Sequence, residues 1–353
     1  MKRPHPRRRA TSSEVARLAG VSRSTVSFVL NQTPGIAIGQ ETRERVLAAA
    51  AELEYVPNAL ARGLVSGEAK TIGLLVSRAA HLRVDAFIPQ MLYSLAKYSH
   101  AYGYRVLLET TDDASQPEAY LKLIRSRQID GLIALNMRSD DRRVLSLLER
   151  SFPLVLLGST PKGQAEVDGV VSARKATRHL LQLGHRRVAH VAFAPEAYLA
   201  TQDRLRGYRL ALEEAGVPYD QALVRYADFS AESGYLAMQP LIAERPTALF
   251  AGNDTVALGA MAAILERGLR IPDDIAVVGY DDIPTAAYFA PPLTTIRTDP
   301  VEQAKLAVEL LIRRIQGAPS DPPELPADLP LIVRDSCGAK ARKAGAPRPD
   351  PSG

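Results

Sequence analysis

Only one cysteine, Cys337, occurs in the 353 residues. One thiol cannot close an internal disulfide or build a cysteine-rich metal site. No apolar run is long enough to span a membrane. The start, MKRPHPRRRA, is basic but lacks the apolar stretch of a secretory signal, so a cytoplasmic location is expected. Catalytic signatures are missing too. There is no G-x-S-x-G elbow, since GLVSG at 63–67 has the wrong spacing, and no Walker or G-x-G-x-x-G loop. His179, His185 and His190 fall on a helix, a loop and a strand with no carboxylate in register. They read as structural residues, not zinc ligands. No enzyme activity, cofactor or metal is expected.

What is present is a soluble globular composition, 46% hydrophobic and 24% charged, in a chain long enough for two or three domains. The net charge of +5 is modest but unevenly placed. Lys2, Arg3, Arg7, Arg8 and Arg9 crowd the first ten residues, as in arms that hold phosphates without reading sequence. Lys340, Arg342, Lys343 and Arg348 lie in a Pro/Gly-rich tail, GAKARKAGAPRPDPSG, which is too polar to pack a core and reads as disordered.

Between those ends the stretch Thr11–Asn31, TSSEVARLAGVSRSTVSFVLN, carries the clearest local signal. Thr11 with Glu14 three residues later is a capping box that starts a helix at Ser12. Val15, Ala16 and Ala19 give that helix one apolar face, and Gly20 permits a sharp exit. Ser22 caps a second helix with Val26, Val29 and Leu30 inward and Arg23, Ser24 and Ser27 outward. Spacing alone fits either a helix-turn-helix, whose second helix enters the major groove, or an ordinary pair of packed surface helices. A Pro/Gly loop over 32–39 leads to a third helix over 40–54, with Val46, Ala49, Ala50 and Leu53 as its buried stripe and Gly39 as a weak N-cap. A unit this small has a thin core and only marginal stability. ALARGLV at 59–65 is too short to be helical in isolation.

From Lys70 the pattern changes to strand–helix alternation. TIGLLVS, YRVLLETT, DGLIALN and PLVLLGS are separated by helices near 87–102, 115–128 and 141–150. RVAHVAF, LVRYADF, TALFAG and IAVVGYD follow, with helices near 172–183, 203–215, 230–244 and 254–267. Such alternation implies parallel sheets covered on both faces. Two consecutive series imply two similar α/β subdomains with a cleft at the C-terminal ends of their strands.

The headpiece pattern E-V-A-x-x-A-G-V-S-x-x-T-V-S-x-V-L-N, continued through Thr42–Val46, Leu53–Asn58 and Ala61–Leu64, closely resembles the lactose/galactose repressor (LacI/GalR) family. Further agreement comes at Leu183–Arg187, Asp203–Tyr208, Asn253-Asp254, Ile271–Asp282, Pro292–Ile296 and Val333–Ser336. The resemblance thus runs from about Thr11 to Ser336. It implies an all-α helix-turn-helix headpiece joined to an α/β core of two parallel-sheet subdomains like periplasmic binding proteins. The expected divisions are an arm at 1–10, a headpiece at 11–57, a hinge helix and linker at 58–69, a core at 70–337 and a tail at 338–353. The implied function is a sequence-specific transcriptional regulator, a repressor, controlled by a small molecule bound between the subdomains. Its expected partners are near-palindromic double-stranded operator DNA and a sugar or sugar derivative, with a nucleobase or nucleoside behind it. With no leucine-heptad helix in the tail, a homodimer is expected. The alternatives are a small-molecule receptor without a DNA role, which would leave the headpiece unexplained, and a sugar hydrolase.

The resemblance also implies sites. Thr11, Ser22, Arg23, Ser24, Thr25, Ser27, Phe28 and Asn31 form the headpiece's DNA-contact set. Arg23 is able to grip a guanine edge. Phe28 stands where relatives carry polar or basic side chains, and it either touches a thymine methyl or covers the helix. Asn58, Ala61, Arg62 and Leu64 belong to a hinge helix that forms on the operator, Leu64 being the wedge between central base steps. The simpler reading of Leu64 is linker packing. Gly63 lowers the hinge's helix propensity by roughly 1 kcal/mol. In the cleft the candidates are Ser77, Arg204, Phe229, Asn253, Asp281 and Thr298. Arg204 and Asp281 offer charge-assisted donors and acceptors to a polyol or base, or form a structural ion pair. Phe229 offers a flat face to a ring, or packs the core. Asp85 and Phe87 border the same pocket, in a first βα loop (RAAHLRVDAF, 78–87) that departs from the family's Asn-Pro-Phe-Phe-like form.

Overall fold

The computed structural model describes residues 10–31, 35–56, 67–76, 81–110, 119–149, 152–158, 165–166, 169–319 and 328–339. Contacts group the chain into two compact units that divide between Ala69 and Lys70, where the hydrophobic pattern changes period.

Among its described residues the first unit holds three helices: α1 (Ser12–Ala19), α2 (Arg23–Leu30) and α3 (Gln40–Glu52). Thr11 Oγ1 accepts the Glu14 N–H at 3.3 Å while Glu14 Oε2 accepts the Thr11 N–H at 2.7 Å, so two otherwise orphaned donors are satisfied reciprocally. Gly20 ends α1 with φ 66°, a conformation glycine adopts without a Cβ penalty. Ser22 Oγ accepts from the Thr25 N–H at 3.1 Å and starts α2. Val15, Ala16, Ala19, Val26, Val29, Val46, Ala49 and Ala50 are buried together, with Leu30 and Leu53 packed against them. The core is four alanines around four valines, as the spacing required.

The second unit contains two sheets. The first has the strands β1 (Thr71–Val76), β2 (Arg105–Thr110), β3 (Gly131–Leu135), β4 (Leu154–Gly158) and β5 (Ala165–Glu166), all parallel, in the order β2-β1-β3-β4-β5. Between them run α4 (His81–Val84), α5 (Phe87–Ala101), α6 (Ala119–Arg125) and α7 (Arg142–Glu149). The second sheet has β6 (Val188–Ala192), β7 (Val224–Tyr226), β8 (Ala248–Ala251), β9 (Ala276–Asp281), β10 (Thr294–Arg297) and β11 (Leu331–Ile332), in the order β11-β10-β9-β8-β6-β7. Only the β10–β11 pair is antiparallel. Its helices are α8 (Gly169–Gln182), α9 (Leu199–Glu214), α10 (Ala231–Ala243) and α11 (Asp254–Glu266).

The last long helix, α12 (Pro300–Ile315), follows the second sheet in sequence but packs on α5, β3 and β4 of the first lobe. The chain therefore passes between lobes three times: before α8, before α12, and again before β11. Asp299 caps α12 by accepting from the Val301 and Glu302 N–H groups at 3.0 Å, and Pro300 at the first position needs no donor.

Some expectations shift. The run LVRYADF keeps only Val224–Tyr226 as strand, because Phe229 takes a left-handed φ of 72° and turns the chain into α10. Strands β5, β10 and β11 stood outside the eight apolar runs. β10 buries Thr294 and Thr295, whose polarity hides a strand that is nevertheless central.

Candidate ligand cavity and DNA-reading helix

On α2 the side chains of Arg23, Ser24 and Ser27 are exposed, and Phe28 and Thr25 are half-buried. Ser22 Oγ lies 2.7 Å from Ser24 Oγ and 2.9 Å from Thr25 Oγ1, so these hydroxyls form one local network at the helix start. Asn31 Nδ2 donates to Ser27 Oγ at 3.1 Å. Thr11 is engaged in the capping box at the start of α1. Arg23, Ser24 and Ser27 are thus presented on one solvent-facing surface, with Arg23 and Ser24 at the N-terminal end of the helix, the part that reaches base edges when such a helix lies in a major groove. Asn58, Ala61, Arg62 and Leu64 lie outside the described residues, as does Ser77.

Within the second unit a cavity opens where strands of both sheets end, the usual place for a ligand in an α/β fold. It is narrow, and with the solvent space it opens onto it spans about 650 Å³. The first lobe contributes Asp85, Phe87, Ile88 and Met91 from the start of α5, and Leu135, Asn136, Leu157 and Gly158 from the ends of β3 and β4. The second contributes Phe193, Arg204, Asn253, Tyr280 and Asp281. Thr298 and Gln303, in the crossover into α12, complete the wall.

Arg204 is the best-supported side chain in it. Its guanidinium lies 3.7 Å from the Tyr280 ring centroid and 4.3 Å from that of Phe193, a cation held against two ring faces. It donates to the Gly252 carbonyl, and Nη2 is 3.8 Å from Asp281 Oδ1. That separation is an ion contact longer than a hydrogen bond, so the carboxylate and guanidinium retain capacity for a third group. Asp281 ends β9 with φ 112°, and Asp282 follows at φ 57°. Two consecutive non-glycine residues in that region signal strain maintained by the surrounding structure. Asp282 is fixed by Arg297 at 2.6 Å and Arg334 at 2.7 Å. The Thr298 hydroxyl donates to the Asp281 carbonyl at 3.1 Å.

Asn253 caps α11. Its Oδ1 accepts the Val256 N–H at 2.8 Å, while Nδ2, in a side chain 1% exposed, has no partner. The amide therefore faces the cavity as a donor only. A Cβ on Gly259 would fall 1.7 Å from the Ala231 carbonyl oxygen, so α10 and α11 cross at a distance only glycine permits, and that crossing seats Asn253.

Burial dominates the electrostatics. It pushes the Asp85 carboxyl up to about 6, against the Phe87 N–H and the Arg204 charge. Asp281 is raised well above the ordinary carboxylate range by burial, with Arg204 opposing and Asp85 and Asp254 adding to the rise. Asp254, behind the wall, is raised to about 7 by burial. It accepts from the Thr295 hydroxyl at 2.6 Å and the Ile283 N–H at 2.9 Å. Gly279 makes room for it, since a Cβ there would meet Asp254 Oδ1 at 2.3 Å.

Phe229 requires a correction. It is fully buried, edge-on to Phe193 and Tyr198 with ring centroids at 5.1 Å in each case, and it does not line the cavity. The turn that ends the strand early directs its ring into the core, and Phe193 presents the aromatic face instead. Phe193 and Tyr280 went unnoticed in the sequence, although each ends an apolar run at the strand C-terminus, where cavity residues gather. Asn136 ends the run DGLIALN in the same way, whereas Gln303, in the first turn of a helix, gave no such sign. The histidines pack. His190 stacks between Tyr208 and Phe250 at 5.1 and 4.9 Å, and burial pushes it down to about 4. His179 meets Cys337 at 3.3 Å and His185 meets Thr247 at 3.1 Å. Among the described residues no helix is long and apolar enough to cross a membrane.

Residues 11–58 match the model of bacterial regulatory proteins of the lacI family, and residues 177–337 match that of a periplasmic binding protein-like domain. The HTH-type transcriptional regulator CelR of Thermobifida fusca is 36% identical over 340 residues, covering 94% of this chain and 99% of that protein. Among solved structures, a transcriptional regulator CelR–cellobiose complex matches with a TM-score of 0.70 at 34% identity, covering 93% of this chain and 100% of that one. A lac repressor dimer bound to operator and an anti-inducer matches with a TM-score of 0.82 at 29% identity, covering 94% and 99%. With a lacI-type headpiece, a periplasmic-binding-protein-like core and relatives of this kind along nearly its whole length, the chain belongs to the lacI family of bacterial regulatory proteins and is a DNA-binding transcriptional regulator.

Proposed function

We propose that this regulator is a cytoplasmic repressor that binds a near-palindromic operator as a homodimer and changes its operator affinity when a sugar or sugar derivative occupies the cavity. The observation that carries the reading is the Arg204–Asp281 pair, buried at the cleft, 3.8 Å apart and uncompleted, beside an Asn253 amide with no partner. Vicinal hydroxyls both donate and accept, which suits a guanidinium, an amide N–H and a carboxylate set around one cavity. The cellobiose bound to the CelR relative supports the same class.

In this reading Arg204 and Asn253 donate to sugar oxygens, and Asp281 accepts from hydroxyls. Phe193 and Tyr280 present flat faces to the apolar side of the ring, Thr298 holds the Asp281 turn, and Ser77 borders the site from the end of β1. Ligand contacts in both lobes favour one arrangement of the lobes over another. On the DNA side Arg23 and Ser24 read base edges from α2. Thr11, Ser22, Thr25, Ser27, Phe28 and Asn31 position that helix on the backbone. Asn58, Ala61, Arg62 and Leu64 act in the minor groove as a hinge, with Leu64 as the wedge. The coupling is reciprocal: a ligand that loosens operator binding itself binds more weakly to the DNA complex.

The test is a thermal-shift survey of sugars, sugar phosphates, nucleosides and purines. A ligand in large excess over its dissociation constant raises the melting temperature by mass action. A sugar that stabilises the wild type and not Arg204→Ala supports the assignment. A nucleoside or purine hit, or a sugar hit indifferent to Arg204, contradicts it.

A further inference from the structure

The cavity's charge narrows the ligand class, an inference that rests on the carbohydrate reading above. Among the described residues that line the cavity, the charged side chains are two aspartates, Asp85 and Asp281, and one arginine, Arg204. Both aspartates are 6% exposed, so water does not screen them as it would at the surface. Arg204 is already shared: it donates to Gly252 and lies against Tyr280 and Phe193 while facing Asp281. Among the described residues Asp85 has no cationic partner within ion-pair distance, and it is held by the Phe87 N–H at 3.0 Å. It enters from the opposite lobe, at the N-terminal side of α5, where the neighbouring Ala86 N–H reaches Thr255 of the second lobe at 3.3 Å. Asp85 therefore faces any molecule gripped by Arg204 and Asp281, and it brings a second carboxyl group to a cavity whose one described cation, Arg204, already faces Asp281.

We propose that Asp85 is a specificity-determining residue that restricts the effector to sugars without a negative charge, and that it excludes phosphorylated and acidic sugars. Two further features agree. A sugar hydroxyl or ammonium group donates to Asp85, whereas a phosphate or carboxylate there has only acceptors to offer. The Asn253 Nδ2 is one buried amide nitrogen with two N–H donors, enough for a ring or hydroxyl oxygen but not for the three oxygens of a phosphate. A buried like-charge contact opposes binding far more than one in water.

The experiment uses the full chain and titration calorimetry. Glucose, galactose and cellobiose are each compared with their 2-amino, 6-phosphate and uronic acid counterparts, on the wild type and on Asp85→Asn. For the skeleton that binds, the neutral or amino form should bind the wild type about tenfold or more tighter than the anionic forms, a difference of about 1.4 kcal/mol. Asp85→Asn should close that gap, and Asp85→Glu should keep it. The inference is overturned if an anionic form binds the wild type as tightly as its neutral counterpart, or if the gap survives in Asp85→Asn. Should Asp85→Asn fail to fold, the wild-type gap together with its closure in Asp85→Ser decides the matter. If no sugar of any charge binds the wild type, the carbohydrate reading itself fails and this inference falls with it.

Discussion

Asp85 is where a single residue has the most measurable consequence. Its carboxyl is raised from 3.8 in water to about 6 in the fold. Below pH 4 it is protonated in folded and unfolded chains alike, and the fold then has the full benefit. As the pH rises through 6 the folded protein must ionise a buried group, and that stability is lost. Asp85→Asn keeps an acceptor for Phe87 and removes the ionisation. The variant should melt higher than the wild type at pH 7–8, by on the order of 2 kcal/mol. The difference should shrink below pH 6 and vanish near pH 4 in a series of thermal melts. A constant difference across that range would show that the gain has another origin. Arg204→Ala makes the complementary prediction: no sugar-induced rise in melting temperature, with operator affinity in the absence of ligand unchanged. The motifs made Arg204, Asn253 and Asp281 legible: Asn253 and Asp281 sit at a run's end, and Arg204 lies in the Asp203–Tyr208 segment that matches the family. Phe229 was misread. A run of apolar residues does not reveal where a left-handed turn will rotate the last ring out of the cleft and into the core.

At the scale of elements, the helix caps were legible and the contacts between lobes were not. Thr11 with Glu14, Ser22 and Gly20 each act in the structure as their spacing implied, because a cap is a local event among four residues. Thr11→Ala should cost about 1 kcal/mol of headpiece stability, read by chemical denaturation followed through headpiece helicity. Long-range backbone pairing leaves no such trace. Next to the cavity, Ser139 N–H donates to the Ala197 carbonyl at 2.8 Å, and Leu199 N–H donates to the Met137 carbonyl at 3.0 Å. Arg138 and Tyr198 form an antiparallel bridge between them. These rungs tie the loop after β3 in one lobe to the start of α9 in the other. Leu199 is the first residue of α9 and Tyr198 before it is extended, a setting that accepts proline. Leu199→Pro removes one rung, and Leu199→Ala keeps the N–H as a control for lost side-chain packing. Amide exchange at Ser139 should accelerate at least severalfold in the proline variant relative to the alanine variant. Equal exchange would mean the bridge does not hold the lobes.

For the whole molecule, the change of hydrophobic period near Lys70 marked the division into two units, and the two strand–helix series marked the two lobes. The route of the chain was hidden. α12 follows β10 in sequence yet packs on the first lobe, and nothing in its apolar stripe says which sheet it covers. That crossing matters, because it runs the chain through the cavity wall at Thr298 and Gln303 on its way back toward the lobe that follows the headpiece in sequence. Leu64→Ala belongs to this scale as well. It should weaken operator binding about tenfold or more while leaving salt-dependent binding to random DNA nearly intact. Equal loss on both would remove the wedge role.

The most direct measurement begins by selecting an operator from a random double-stranded library with the full chain. Affinity for the selected duplex is then titrated by fluorescence anisotropy, with and without a sugar that stabilises the protein. A near-palindromic site is expected, with its affinity changed at least fivefold by saturating ligand, a coupling on the order of 1 kcal/mol, and with no change in Arg204→Ala. Tight binding to the selected site that is indifferent to a bound ligand would contradict control of the DNA-reading helix by the cavity.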